Sequence, residues 1–369
     1  MVLAAALCGC QDTPDPVPNY REYAYVSNSG SNNVTVVDLR TLAVRAVVAV
    51  GKNPAGLAAN PKRNEIYVVN TDSNNLSVID AETNKVVFTI GVHRAPYFVD
   101  VSADGKRAYV ANAGSANLSV IDLEERRLIK TFYVGNGATL ARVTPDGKLA
   151  VVTLRDEDSV AIVDTEKLAL SSKIKTCHEP VDLGILPDSS KVFVACDDSK
   201  QVAAIDLKAG KLLALLDVGQ GPVHVAVKPD GGEVFVCNRS ASSISEVITN
   251  SNEVNNTFLI GDQPAQALVS PDNAFLYVAN FGSDAVAVYS IDTGKRTSSV
   301  EVGRHPEALA FSPNQLMLLV VNTGSGDLTV LSLVDRKGRP QPDTPTLGTM
   351  IPLGRDPKAI VVKAFVSQR

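Results

Sequence analysis

The segment Leu276-Tyr277-Val278-Ala279-Asn280 contains an aromatic residue and alternating aliphatic residues, and it ends in an asparagine. A short polar run follows, and then a second alternating segment, Ala285-Val286-Ala287-Val288. The same pattern starts at eight positions that are always 42 residues apart, namely residues 25, 67, 109, 151, 193, 235, 277 and 319. A constant step over this many copies indicates a repeat protein.

Each repeat divides into four apolar runs separated by turn residues. In the unit that covers residues 264–305, Pro271-Asp272-Asn273 and Asp292-Thr293-Gly294 separate runs of about six residues. Short alternating runs with turn signals every eight to twelve residues predict antiparallel strands. Four such strands in each unit of about 42 residues predict an all-β fold, a β-propeller of four-stranded antiparallel blades.

The phase of the repeat predicts how the ring closes. The first copy, from Tyr20, lacks a first strand, whereas residues 358–365 form a first strand with nothing after it. Joining the two completes an eighth blade and removes two open sheet edges, so we predict eight blades, with seven as the alternative. Extra residues at 336–349 interrupt the register and predict a Pro-rich surface loop between a third and a fourth strand.

The repeats resemble those of the YVTN family of β-propellers. The resemblance rests on Tyr-Val-x-Asn segments at Tyr25, Tyr67, Tyr109 and Tyr277, and on third strands at residues 76–80 and 118–122. It implies a bacterial or archaeal surface protein, and members commonly have seven blades. The related haem d1 propeller has eight, but this chain has no Cys-x-x-Cys-His motif, so we transfer no haem ligand.

The N-terminus predicts export and a lipid anchor. Residues 1–10 form a short apolar run, and Leu7-Cys8-Gly9-Cys10 resembles a bacterial lipobox in which Cys10 is lipidated. The alternative is a coincidental apolar start. We expect residues 11–19 to form a Pro-rich linker and residues 20–369 to form a single propeller domain, tethered to the cell envelope as an outer-membrane or surface lipoprotein.

Three cysteines lie within the predicted propeller. Cys177 and Cys196 flank two consecutive strands of one repeat, so they could form a disulfide. Buried free thiols are the alternative, and Cys237 has no obvious partner.

Composition excludes some functions. The net charge is −5 and no basic run is present, which argues against a nucleic-acid partner. The sequence contains no nucleotide-binding glycine loop, nucleophile elbow or His-Glu-x-x-His motif.

Polar residues collect where one blade is expected to connect to the next, around the mouth of the central channel. All four histidines lie in this zone, with acids and arginines near them. The candidate ligand-binding residues are His93, His178, Glu179, Asp182, His224, Arg304, His305 and Glu307, and the same zone contains Arg94, Asp100, Arg142 and Gln266. The sequence establishes no cofactor, but His with an acid in this zone is compatible with a divalent metal, and His with Arg is compatible with an anionic substrate. His178 and His224, on neighbouring blades, are the best pair for a metal. Connections are also exposed, and polar residues gather there without any function.

Three functions are compatible with these patterns. The first is a monomeric, non-catalytic propeller that binds a surface ligand or protein and touches the membrane only through its lipid anchor. The alternative is a lactonase-like or metal-assisted hydrolase with its site at the channel mouth, which is an analogy of fold. A third interpretation is an accessory to a periplasmic redox system. Convergence of two or more histidines with an acid would favour the enzyme.

Overall fold

The computed structural model of the protein describes residues 18–368, in which it has 32 strands and four short 3₁₀ helices. In chain order the strands are β1 Tyr20–Asn28, β2 Asn33–Asp38, β3 Ala43–Ala49, β4 Pro54–Ala59, β5 Glu65–Asn70, β6 Asn75–Asp80, β7 Lys85–Gly91, β8 Pro96–Val101, β9 Arg107–Asn112, β10 Asn117–Asp122, β11 Arg127–Tyr133, β12 Ala138–Val143, β13 Leu149–Leu154, β14 Ser159–Asp164, β15 Ala169–Lys175, β16 Pro180–Ile185, β17 Lys191–Cys196, β18 Gln201–Asp206, β19 Lys211–Asp217, β20 Pro222–Val227, β21 Glu233–Asn238, β22 Ser243–Ile248, β23 Glu253–Leu259, β24 Pro264–Val269, β25 Phe275–Asn280, β26 Ala285–Ser290, β27 Lys295–Glu301, β28 Pro306–Phe311, β29 Met317–Asn322, β30 Asp327–Ser332, β31 Thr346–Pro352 and β32 Pro357–Val366. The 3₁₀ helices are Ser29–Ser31, Thr71–Ser73, Ala113–Ser115 and Arg155–Glu157.

The strands form eight antiparallel four-stranded sheets, the blades of a closed propeller. Blade 1 consists of β32 and β1 to β3, and each later blade takes the next four strands, from β4–β7 in blade 2 to β28–β31 in blade 8. The first strands touch one another in ring order, including β28 with β32 and β32 with β4. The prediction of eight blades is confirmed, and the seven-bladed alternative is wrong.

Pairing between the two chain ends closes the ring as the repeat phase predicts. Strand β1 runs antiparallel to β32, with Tyr20 opposite Val366 and Asn28 opposite Pro357. This pairing removes the open edges that each terminal strand would otherwise present.

The core lies between blades, because each sheet packs on a neighbour through both faces. The aromatic residue that opens each repeat is almost fully buried at Tyr25, Tyr67, Tyr109, Phe193, Phe235 and Tyr277. Strands alternate their side chains between the two faces, so the second and third strands need apolar residues at nearly every position. The sequence supplies them, as in β25, where five of six residues are fully buried.

In five of the eight blades, including the Gly261–Asn280 contact of blade 7, the asparagine that ends the second strand packs against a glycine in the connection from the preceding blade. Asn70 Nδ2 donates to Ser77 Oγ at 2.9 Å, and a Cβ added at Gly51 would lie 2.6 Å from Asn70 Cβ. A side chain at this glycine would therefore collide with a buried amide. The same close approach occurs between Gly219 and Asn238, Gly303 and Asn322, and Gly354 and Asn28.

A disulfide joins Cys177 and Cys196, with Cα atoms 5.7 Å apart. Cys177 takes the place of the glycine in this repeated contact, and Cys196 takes the place of the asparagine. The contact brings the two backbones close enough for a bond, which is why the disulfide forms here. The sequence left open either a disulfide or buried free thiols at these two positions, and the structure has the disulfide. Cys237 is a buried free thiol.

The loop predicted at residues 336–349 is present, but it ends earlier, since β31 begins at Thr346. It packs back onto blade 7. Tyr277 donates its hydroxyl to the Pro342 carbonyl at 2.8 Å, and Ser298 donates to the Asp343 carbonyl at 2.8 Å.

The predicted lipobox with Cys10, and nearly all of the predicted linker, lie outside the described residues. Within residues 18–368, the protein has no helix with the length and apolar character needed to span a membrane.

Candidate functional site

The blade-to-blade connections and the second-to-third strand loops share one face of the ring. The residue before each first strand accepts a backbone hydrogen bond from the first residue of the neighbouring loop. Examples are Thr71 N to Asn53 O and Thr323 N to His305 O, both at 3.0 Å. We call this surface the channel face.

A cavity of about 600 Å³ opens into the central channel. First strands of all eight blades contribute to its wall, so it lies on the axis of the ring. Its polar and aromatic lining residues include Tyr97, Phe98, Arg142, Asp182, His224, Gln266, Glu307 and Lys358. Three of the predicted candidates, Asp182, His224 and Glu307, are therefore brought together around one cavity.

Some of these side chains form hydrogen bonds with the backbone of the first strand of the next blade. The first strand of each blade is an edge strand, whose outward backbone groups need partners. Asp182 accepts from Val225 N at 3.0 Å, Gln266 from Leu309 N at 2.6 Å, and Asp100 from Val143 N at 2.9 Å. Part of the channel's polarity therefore stabilises the ring.

His224 is held between two acceptors. Its Nδ1 lies 2.8 Å from the Asp182 carboxylate, and its Nε2 lies 3.1 Å from the Ala267 carbonyl oxygen. Both neighbours are acceptors, so each contact is a hydrogen bond when the ring nitrogen that faces it carries the proton. In this arrangement neither nitrogen is free to accept a proton from a substrate or to bind a metal.

The surroundings of Asp182 favour its ionised form. Burial by itself raises the pKa of this carboxyl, but His224, Arg142 and the Val225 amide together outweigh burial and lower it. The Arg142 contact is the loosest of these, with Nη2 4.0 Å from Asp182 Oδ1. Asp182 thus balances positive charge on two neighbouring blades.

Arg142 reaches into the cavity with unused hydrogen-bonding capacity. Its guanidinium lies 5.2 Å from the centre of the Phe98 ring, and its buried Nε has no hydrogen-bond partner within residues 18–368. Arg142 also acts electrostatically on Asp100, where burial raises the carboxyl pKa despite hydrogen bonds from backbone amides and the charge of Arg142. The Arg142 side chain is 39% exposed, so the tip of its guanidinium can donate to an acceptor atom of a bound molecule.

The other three histidines lie away from this cluster. His178 is exposed, with Nδ1 3.3 Å from Asp198 and Nε2 4.0 Å from Asp158. His305 stacks on Phe281, with ring centres 4.4 Å apart, and His93 is exposed on its connection. The structure does not bring the four histidines together.

The remaining candidates have separate partners. Glu179 accepts from Arg155 at 2.7 Å, and Arg304 donates to the Gly324 carbonyl at 3.1 Å. Glu307 interacts electrostatically with Lys358, whose own ion pair is with Asp356 at 2.9 Å.

These positions do not fit a metal ion. Across residues 18–368, no three His, Cys, Asp or Glu side chains converge in a way that could hold one. His178 and His224 contact different acids, and both nitrogens of His224 are occupied. We therefore derive no step through a metal.

Sequence reasoning missed Tyr97, Phe98 and Lys358 as parts of the cavity wall. Their positions in the repeat could have indicated this. Tyr97 and Lys358 are each the second residue of a first strand, as Glu307 is, and Phe98 is the third residue of its first strand, as His224 is. Aromatic residues and lysines are common in sequences and do not by themselves indicate a site. Only the closed propeller places these residues on the wall of the channel.

The chain matches the family model of the YNCE-like β-propellers over residues 6–262. Residues 216–347 match the model of the lactonase 7-bladed β-propellers, although this ring has eight blades. No curated protein matches the sequence.

Solved structures share the fold at low identity. Hydrazine synthase of Kuenenia stuttgartiensis is 24% identical, with a TM-score of 0.61 and coverage of 78% of this chain and 99% of that chain. Dihydro-haem d1 dehydrogenase NirN, in complex with DHE, is 15% identical, with a TM-score of 0.72 and coverage of 98% and 79%. A Bacteroides uniformis protein provisionally described as a 6-phosphogluconolactonase is 17% identical, with a TM-score of 0.63 and coverage of 94% and 100%. At these identities the likeness concerns the fold alone.

Proposed function

This chain belongs to the YNCE-like β-propeller family, and from that premise we propose that it is an exported, lipid-anchored binding propeller. Its channel face presents a polar cavity to a surface ligand or protein, and it catalyses no reaction.

The main observation in support of this proposal is that both ring nitrogens of His224 already contact acceptor atoms of the protein. A general base needs a nitrogen lone pair within reach of the proton that it removes. The best-placed histidine of the channel has both nitrogens at acceptors within 3.1 Å. The cluster of His224, Asp182 and Ala267 links blades 5, 6 and 7, and this supports a role in holding the wall of a binding site.

Arg142 supports binding. The Arg142 side chain is 39% exposed, and its guanidinium borders a cavity that also exposes the Tyr97 ring. A guanidinium has five N–H donors, and those at its tip can donate to an acceptor group of a ligand in the cavity. The combination suits a ligand with an acceptor group beside an apolar part.

The alternative function is a lactonase-like or metal-assisted hydrolase. The match of residues 216–347 to the lactonase model favours it, and this segment contains His224 and Gln266 of the cavity wall.

One experiment separates the two functions. The purified protein, prepared without a histidine tag, is analysed for bound metal and assayed against a panel of lactones with and without added zinc or calcium. We expect substoichiometric metal and no turnover above buffer. Turnover that is lost in His224→Gln and retained in His178→Gln would refute the binding role.

Export and anchoring are tested separately. Cells that express the full chain are labelled with a palmitate analogue. We expect label on the wild type and on Cys8→Ser, but not on Cys10→Ser. Equal labelling of the two variants would contradict the lipobox assignment.

A further inference from the structure

The channel face carries a regular pattern of charge at one position of the repeat, two residues before the start of each first strand. At four consecutive connections this residue is basic, and we call these residues the basic arc: Arg304, Arg355, Lys52 and Arg94. They precede β28, β32, β4 and β8, which are neighbours around the ring. The other four connections have Asn136, His178, Gln220 and Asp262 at this position.

The basic arc is exposed and unpaired. All four side chains are exposed, and none has a carboxylate within ion-pair distance in the part of the chain that the structure describes. Three acids lie near the arc and each has another partner: Asp356 pairs with Lys358, Asp72 accepts from Asn53, and Asp284 accepts from the His305 amide. The adjacent second-to-third loops are made of small residues, at 29–32, 71–74, 113–116 and 323–326, and these leave the long basic side chains uncovered.

The opposite half of the face is acidic, and much of its charge is already paired. Its acids are Asp156, Glu157, Asp158, Glu179, Asp197, Asp198 and Asp262. Glu179 pairs with Arg155 and Glu157 with Lys173, both at 2.7 Å, and Asp198 lies 3.3 Å from His178. The face therefore has one half with free positive charge and one half with a negative excess.

This distribution of charge favours one class of partner. A long polyanion that extended beyond the basic arc would meet the acidic half and be repelled. On the four connections of the arc and the first strands that follow them, Tyr97 is the one exposed aromatic side chain among residues 18–368, and a single ring gives little stacking area for a polysaccharide. Three of the four residues are arginines, whose planar guanidinium matches single carboxylates on a protein surface.

We propose that the basic arc docks an acidic patch of a partner protein on the channel face. The inference rests on the proposed binding role and names the chemistry of the partner. Because the contacts are exposed, docking is steered by charge and is weakened by salt.

The probe is a short poly-L-glutamate, no longer than the basic arc, and heparin is the long polysaccharide comparison. The test variant is Lys52→Gln/Arg94→Gln/Arg304→Gln/Arg355→Gln. The matched control, Lys62→Gln/Lys106→Gln/Lys208→Gln/Lys295→Gln, removes the same charge from exposed residues in or directly beside turns of the opposite face. Both variants are checked for unchanged urea unfolding before binding is measured.

We expect the arc variant to bind poly-L-glutamate about tenfold or more weakly, since each exposed pair contributes modestly and four are lost, whereas the control stays within about twofold of wild type. Raising NaCl from about 50 to about 300 mM should weaken wild-type binding. Equal binding by the two variants, or tighter binding of heparin through the arc, would overturn the proposal. Lactone turnover with intact poly-L-glutamate binding would refute the proposed non-catalytic role and leave this inference standing.

Discussion

Reduction of the Cys177–Cys196 disulfide should destabilise the propeller by a measurable amount. The bond closes a loop with a sequence separation of 19 residues and ties the end of blade 4 to the second strand of blade 5. Both cysteines are buried, so the oxidised and reduced proteins differ little in exposed surface. The main effect of reduction is to give the unfolded chain more freedom.

The magnitude follows from the loop length. Closing a loop of about 20 residues removes unfolded-state entropy worth about 3 kcal/mol at 25 °C. With a slope of about 3 kcal/mol per molar urea, the unfolding midpoint should fall by about 1 M on reduction.

The assay is equilibrium urea unfolding with and without a phosphine reductant, together with thiol titration of the denatured protein. Reduction should raise the thiol count by two, since Cys237 is free in both states. The control is Cys177→Ala/Cys196→Ala, whose midpoint should not respond to the reductant. Identical midpoints for oxidised and reduced wild type, despite the gain of two thiols, would refute the reasoning.

Two further predictions concern the packing of the blades and the channel. Gly51→Ala should lower the free energy of unfolding by about 1–3 kcal/mol, because the new methyl would lie 2.6 Å from Asn70 Cβ, whereas Gly91→Ala, with no atom within 4 Å, should change it by less than about 1 kcal/mol. Urea unfolding of the pair decides this, and equal effects would contradict the packing argument. Asp182→Asn should cost about 3–5 kcal/mol at neutral pH, because His224 loses its charged acceptor. The pKa of Asp182 is lowered in the folded state, so its contribution is present above the unfolded value of about 3.9 and is lost as the pH falls through the lower folded value. In a pH series of unfolding curves, the difference in free energy of unfolding between wild type and Asp182→Asn should therefore persist down to about pH 4. Loss of this difference near neutral pH would contradict the proposal that ionised Asp182 stabilises the fold.

The sequence alone was enough to predict the fold because the information is local and repeated. Turn residues such as Pro271-Asp272 and alternating runs such as Leu276 to Asn280 determine strand boundaries within a few residues of themselves. The phase of these runs then determined both the number of blades and the pairing of the two chain ends, which β1 and β32 confirm.

The candidate site was predicted less completely. The sequence placed Asp182, His224 and Glu307 near the channel mouth, where the structure has them. It also grouped His93, His178 and His305 with them, although these residues lie on separate connections with separate partners. The position of a residue in the repeat indicates its level along the axis of the ring. Whether its side chain points into the channel depends on packing against the next blade.

Tertiary structure alone decided which residues touch. His224 meets Asp182 and Ala267 from the two adjoining blades because first strands 42 residues apart in sequence become neighbours in the ring. Cys177 and Cys196 could bond because they replaced a glycine and an asparagine whose backbones approach closely in other blades. The basic arc is likewise invisible as a run of charge, since its members are spread from Lys52 to Arg355. A closed ring brings such distant residues together because each connection returns the chain to the same face, one blade further round.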